Sequence, residues 1–294
     1  MTYNPSLRIA EVRDQLIRGM MAQPDDVVLR EFCTIVDSNK LTENYAMKGD
    51  LPALETFDDE IPVKSMSDAS VGLTNIERGV AFEVKKALLE DDQTGLLSQQ
   101  VNDFVGERDD QLRRLALAAV SANATGYDAA AFFSDSHPAD GDAAAQDNNL
   151  AGSGVTTALV ADDIASALAR LMSLVDTGGR MINKNLGRVG ILAHPNMKRA
   201  IDEATSASQI SSTSNPSLTG FDYVRAYAAE LTDQNDIYVF NLSRSLKPII
   251  VQRRLVGEIT DEEIKAAASW RWYLRVRNAA MLSRWQLGVR VVNS

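Results

Sequence analysis

One stretch of the chain gathers side chains that could do chemistry: 132-FFSDSHPADGDAAAQDNNLAG-152. It places His137, one of two histidines, among Asp135, Asp140, Asp142 and Asp147. An imidazole beside carboxylates can ligate a metal or move a proton, so a metal-dependent enzyme using the His137 region is the first reading to weigh. A catalytic metal needs about three protein ligands in fixed geometry. This stretch is rich in Ala, Gly, Asp and Pro, and it gives His137 no partner one helical turn away. The other histidine, His194, precedes Pro195 in a different turn. The segment therefore reads as a loop that carries a histidine, not as a ligand set.

The remaining constellations are weaker. Cys33 stands alone, which excludes an internal disulfide and a cysteine metal cluster. It could mimic a thiol-protease nucleophile with a distant histidine, but it reads as a buried small hydrophobe. The run Glu90, Asp91, Asp92 could attract a cation and reads instead as a solvated turn. Arg271, Arg275 and Arg277 lie on one face of a candidate strand. They could contact DNA or pair with carboxylates of a neighbour or of the same sheet, and the acidity of the chain favours pairing. The glycine fingerprints of phosphate loops, dinucleotide folds and hydrolase elbows are absent. No catalytic, cofactor-binding or metal-binding residue is assigned.

The elements that must position these groups follow from periodicity. Leu7, Ile9, Val12, Leu16, Ile17, Met20 and Met21 have helical spacing, and 26-DVVLREFCTIVDS-38 fits a strand or a short helix. Residues 44–80 contain Pro52, Pro62 and several glycines, with short β-branched runs. This reads as an extended excursion, a hairpin leaving the body, with too little core of its own. A strand start at Val80, Phe82 and Val84 follows. Residues 94–123 give the clearest helix, with Leu97, Val101, Phe104, Leu112, Leu115 and Ala119 in one stripe that only Arg108 interrupts. Thr94 is placed to cap it and Asn123 to stop it. Such a helix spans roughly 40 Å.

A second helix is expected from a cap at Asp162 or Asp163, through Ile164, Leu168, Leu171 and Val175, to a stop at Gly178. Val189–Ala193 reads as a buried strand, followed by a helix from about Asn196. Residues 208–220 read as a mobile polar loop, and 221–243 as two strands around a turn at 233–236. The last 50 or so residues read as one sheet with strands at 248–255, 270–283 and 286–293. Glu258–Glu263 reads as an acidic connector, and Trp270, Trp272, Leu274 and Val276 form the apolar face.

Composition bounds the function. With 294 residues, 45% apolar and 24% charged, the chain can bury a substantial core. No apolar run reaches the roughly 18 residues a membrane span needs, and the N-terminus shows no secretory signal. A reducing compartment fits. The net charge of −10 disfavours nucleic-acid binding by the chain as a whole. The charge is uneven: from Arg244 onward the net is +6, and the rest carries −16. That polarity suits head-to-tail contact between copies or is a solvated pattern without a partner.

The ordered set 45-YAMKGDLPALETFDD-59, 88-LLEDD-92, 127-YDAAAFFSDSHP-138 with Asn148 or Asn149, 191-ILAHPN-196, 248-PIIVQRR-254 and the tryptophan-rich C-terminal strand resembles the HK97-type major capsid proteins of tailed phages. The likeness is nearest to the Mu-like major head subunit. It implies an α+β, HK97-like capsid fold. The parts would be an N-terminal arm (1–43), an E-loop (44–80), a peripheral domain (81–155) with a spine helix (94–123), an axial domain (156–243), and C-terminal strands (244–294) returning to the peripheral domain. It implies a structural protein, not an enzyme, that self-assembles into hexamers and pentamers of an icosahedral head around double-stranded DNA. The DNA would be enclosed without sequence-specific binding. No cofactor and no membrane partner are implied.

Further partners would be a portal, a decoration protein, and a separate scaffolding protein or protease. About 40 residues precede the E-loop, which leaves no room for the long scaffold of some relatives. Met1 favours a separate scaffold over a trimmed chain. The protein would reside in the virion after assembly in the bacterial host cytoplasm. Within the family the FFSDSHP segment is a structural connection. Lys48 and Lys64 lie in or beside the excursion without an identified crosslinking partner, and Gly106 is a candidate hinge. A nanocompartment shell of the same fold, enclosing cargo enzymes, is the alternative from a different functional class.

Overall fold

A computed structural model describes residues 5–21, 26–48, 69–91, 96–139, 143–207, 209–210, 213–214 and 220–293. The expected first helix is present as α1 (Pro5–Met21), with proline at the position where a missing N–H costs nothing. The ambiguous stretch 26–38 turns out to be both alternatives. One wide helical turn (Val28–Phe32) is started by Asp26, whose carboxylate accepts from the N–H groups of Val28 and Leu29, and strand β1 (Cys33–Asp37) follows.

The excursion is a hairpin: β2 (Thr42–Lys48) pairs antiparallel with β3 (Ala69–Thr74) as a separate two-stranded sheet. Its return arm ends at Thr74, because β4 (Ile76–Lys85) already belongs to the body. A short helix α2 (Lys86–Asp91) and the long helix α3 (Leu96–Ala122) follow. Asn123 stops α3 in the left-handed region at φ 44°, and its side chain bonds both the N–H and the carbonyl of Phe133. A residue that tolerates positive φ and can cap with an amide is what this stop needs.

The second half contains β5 (Asn149–Ala151), α4 (Thr157–Ser173), β6 (Arg188–Ala193), α5 (Lys198–Ser206), and the short pair β7 (Gln209–Ile210) and β8 (Thr213–Ser214). After these come β9 (Asp222–Tyr227), β10 (Ile237–Asn241), β11 (Ile249–Ile264), β12 (Ser269–Leu282) and β13 (Gly288–Val292). Two sheets organise them. One has the order β1-β11-β12-β4, the other β5-β13-β10-β6-β9. Most of the expected mobile loop at 208–220 lies outside the described residues.

Three expectations are corrected. The acidic run Glu258–Glu263 is not a connector. It is the outer half of the 16-residue strand β11, where Glu258 faces Arg275 and Glu262 faces Arg271 across the antiparallel ladder. Alternating burial persists along this half, so a strand was available to the pattern, and the charges masked it. The C-terminal residues do not form one sheet: β11 and β12 belong to the first, β13 to the second.

The third correction concerns α4, which starts at Thr157, five residues before the expected cap. Asp163 lies inside this helix, turned inward, and its carboxylate accepts from the N–H of Ser153. Val175 has left the helix and bridges Met181. Gly179, at φ 70°, makes the turn between them, which Asp176 holds through the N–H groups of Gly178 and Arg180.

The packing is uneven. Every residue of β10 is buried, as are all but the first of β6, so the second sheet is covered on both faces. Leu112, Leu117, Ile164, Leu168, Leu171 and Ile201 from three helices cover it, with Phe32 entering from the first turn. Gly190 is needed there, because a Cβ would lie 2.5 Å from the Phe32 ring. The first sheet has two small clusters of its own, Val12 and Leu16 of α1 with Val101 of α3, Val84 and Trp272, and then Leu274 with Val276, while Ile249 and Val251 of β11 join the large core. α3 therefore serves both cores, its N-terminal half the small one and its C-terminal half the large one. Leu115 and Ala119 of the expected stripe are half-buried, and Ala116, Leu117 and Val120 take their place.

Candidate functional site

His137 is not a surface-loop histidine. Only 1% of it is exposed. Its Nδ1 lies 2.5 Å from Asp128 Oδ2, its Nε2 lies 3.0 Å from Asn148 Oδ1, and its ring stacks on Trp285 at 3.8 Å and 5°. Its backbone exchanges hydrogen bonds with Gln146. The neighbouring acids are used elsewhere: Asp135 accepts from Asn149 and Asp147 pairs with Arg170. Asp140 and Asp142 lie outside the described residues.

The carboxylate that meets the ring, Asp128, was not singled out in the sequence, although it sits in the quoted 127-YDAAAFF run. A tight turn with Ala129 at φ 64° folds it back toward His137. Trp285, far downstream in the chain, left no local signal at all. Among the described residues, no three His, Cys, Asp or Glu side chains lie close enough together to hold a metal ion.

The other candidates are likewise placed. His194 Nδ1 accepts from the N–H of Asn196 and caps a single 3-10 turn. Cys33 is buried, and burial, with the Asp26 carboxylate adding to it, pushes its thiol far above the ordinary range, so it is an inert hydrophobe. The side chains of Glu90, Asp91 and Asp92, and Lys64, lie outside the described residues. Gly106 is exposed on α3 with open space where a side chain would stand.

The three arginines are taken up within the chain. Arg271 meets Glu83 at 2.6 Å; Arg275 lies between Glu258 and Glu77; Arg277 approaches Glu77 at 3.5 Å. Tyr273 donates to Glu262, and Lys86 pairs with Glu263. The hydrogen bond from Ser269, with Arg271 assisting, holds the Glu83 carboxyl below the usual range, and Lys86 does the same for Glu263. This face is a neutralised ladder, and it has little free positive charge to offer a phosphate backbone.

What remains open lies around the hairpin. Its root is pinned to the body: Tyr45 donates to the buried Gln252 at 2.7 Å, Ser38 donates to Glu43, and Asn75 donates to the carbonyls of Lys40 and Leu41. Alternate residues of β3 stay exposed, as do Leu41 and Ile76 at the hinge points. β4 is a sheet edge with Val80 partly bare. Beneath it a crevice of about 190 Å³ opens between the sheet and α3, lined by Arg78, Val80, Arg108, Gln111, Leu274 and Val276. A long unpaired edge with apolar side chains is a surface that a soluble protein normally covers.

A family model described as the Mu-like prophage major head subunit gpT matches residues 21–168, half of the chain. No curated protein matches. Among solved structures, the capsid of bacteriophage JBD30 is 11% identical, with a TM-score of 0.55, covering 99% of this chain and 69% of that one. A phage-related protein from Bordetella bronchiseptica RB50 is 10% identical with a TM-score of 0.58, covering 95% and 96%. A virus-like particle from Pyrococcus furiosus is 10% identical with a TM-score of 0.54, covering 96% and 98%. These likenesses carry the fold: the two-sheet architecture above is the HK97-like fold of phage capsids. A phage capsid and a virus-like particle both share it, so the fold does not separate a phage head from a nanocompartment. The family match does, and it favours the head.

Proposed function

The chain belongs to the family of Mu-like prophage major head subunits, and from that premise we propose how this major capsid protein does its work. Copies associate into hexameric and pentameric rings by heterologous contacts that close by rotation. The β2–β3 hairpin, as the E-loop, lies over the adjacent subunit. Helix α3 is the spine of the peripheral domain, and the second sheet with α4 and α5 forms the axial domain around the ring centre.

The rings close into a head that encloses DNA without reading it, in the virion, after assembly in the host cytoplasm. A portal, a separate scaffold or protease and a decoration protein complete the list of partners. No reaction is assigned: His137 is held by Asp128, Asn148 and the Trp285 ring.

The observation that carries this reading is the hairpin. Its described strands pair only with each other, and its polar contacts to the body gather at the root. Negative-stain microscopy of the expressed protein at two concentrations is the direct test. Rings or shells that grow with concentration are expected, and a monodisperse monomer at the higher concentration overturns the reading. Deleting residues 49–68 should leave a folded subunit, by circular dichroism, that no longer assembles.

A further inference from the structure

Helix α3 and strand β4 meet at one end and part at the other. Near the start of α3 the rings of Phe82 and Phe104 lie 4.6 Å apart, and Val84 and Val101 are buried together. Farther along, Gln111 of α3 is bonded to Asn278 of β12, so the helix has moved off the edge strand. The crevice is the wedge that this leaves. Leu274 and Val276 form its floor, and Val80, 43% exposed, stands at its side. Ile76 lies on the same face of β4 as Arg78 and Val80, is 55% exposed, and prolongs the apolar border. The volume of about 190 Å³ suits one aromatic ring, since an apolar cavity of roughly 150 Å³ holds benzene.

The rim of the crevice is positive. Glu107 is held by Arg114, and Arg108 by Asp109. Arg78 differs. It donates to the backbone carbonyls of Ile76 and Asn278 and to Asn278 Oδ1, all neutral acceptors, and no described carboxylate pairs with it. An apolar pocket beside such a guanidinium fits an aromatic side chain flanked by carboxylates.

The chain itself contains such a segment. Residues 49–68, GDLPALETFDDEIPVKSMSD, join the two strands of the hairpin and lie outside the described residues. They carry six acidic side chains and one lysine, and their single aromatic, Phe57, stands among Glu55, Asp58, Asp59 and Glu60. The hairpin is anchored away from its own crevice. Gln252 accepts from Tyr45, donates to the carbonyl of Leu73, and sits beside Ala279 of β12. Strand β4 starts beside Asn278 and runs the other way, past Leu274. Anchor and crevice therefore lie on opposite sides of Asn278, which favours a crevice on another molecule.

We propose that Phe57 of one subunit fills the crevice between β4 and α3 of a second copy, with the carboxylates around Phe57 facing Arg78. The proposal rests on the reading of the hairpin as a loop laid over a neighbour, and it names the place on the neighbour that receives it. Burial of the ring supplies the attraction, and the charges set the orientation.

Two experiments on the full-length chain test this. In the first, Phe57→Ala is compared with deletion of residues 49–68, and assembly is followed by light scattering against concentration. Phe57→Ala should raise the concentration for half-assembly by about tenfold or more while the thermal midpoint of the dissociated subunit stays unchanged. If Phe57→Ala assembles as the native chain does while the deletion blocks assembly, this inference fails and the hairpin reading stands. If the deletion assembles too, both fail. In the second experiment a diazirine-bearing phenylalanine replaces Phe57, and chains labelled with 14N and 15N are mixed, assembled and irradiated. Mass spectrometry should find position 57 joined to the peptides carrying Val80, Leu274 or Val276, with mixed isotope pairs. Links within one chain, links to other peptides, or no link in assembled particles overturn the proposal.

Discussion

The two sheets of this molecule are built on opposite principles. The second is closed: β6 and β10 are buried almost throughout, and three helices and a loop cover it. The first is open: its own clusters are small, its outer face is a ladder of paired charges, and no described strand lies beside its β4 edge. Burial gives the second sheet stability as an isolated chain. Charge pairs in water contribute little, so the first sheet depends on what lies against it. A subunit that must fold before it assembles, and then assemble without aggregating, gains from this division.

Breaking each half should show the difference. Phe240→Ala removes a ring from the closed sheet where Phe32 and Phe133 contact it, and should cost about 3–5 kcal/mol. Denaturant unfolding of the dissociated subunit would record this, and the assembled shell should suffer equally. Leu16→Ala, in the small cluster, should cost about 2–3 kcal/mol because the site can partly collapse. The comparison predicts that assembly recovers more of this loss than of the Phe240 loss, measured as the difference in midpoint between subunit and shell.

Tyr45→Phe leaves Gln252 buried with one bond fewer and should cost about 1 kcal/mol. Its effect should be larger on particle yield than on subunit stability. The smallest effect is on the ladder. Glu83 and Glu263 titrate below the ordinary range, so their support is complete above that range and is lost as pH falls through their depressed values. Arg271→Gln should flatten the Glu83 part of that acid loss, as read by thermal midpoints on the acid side.

The closed half was the more legible in sequence, and for a physical reason. Continuous apolar runs such as Val189–Ala193 and Ile237–Asn241 have one good solution, and both strands lie where the pattern put them. The hairpin was legible as a lack of core, and α3 as a stripe with an asparagine stop. Failures gathered where a polar residue does unexpected work. Asp163 looked like a helix cap and instead turns inward to hold Ser153. Glu258–Glu263 looked like an acidic connector because opposite charges on successive strands neutralise each other only once paired. His137 looked like a loop residue, since Asp128 and Trp285 meet it only through a tight turn and a distant segment of the chain. Such partnerships are long-range, and local patterning does not encode them.

The parallel pairing of β1 with β11 has a consequence for synthesis. Asp37 and Arg253 are neighbours in this sheet yet stand 216 residues apart in the chain. The ribosome must translate most of the message before β1 can find its companion, and closing so wide a loop is slow. Until then β1 has no β11 to pair with, and the first sheet of the nascent polypeptide stays unfinished.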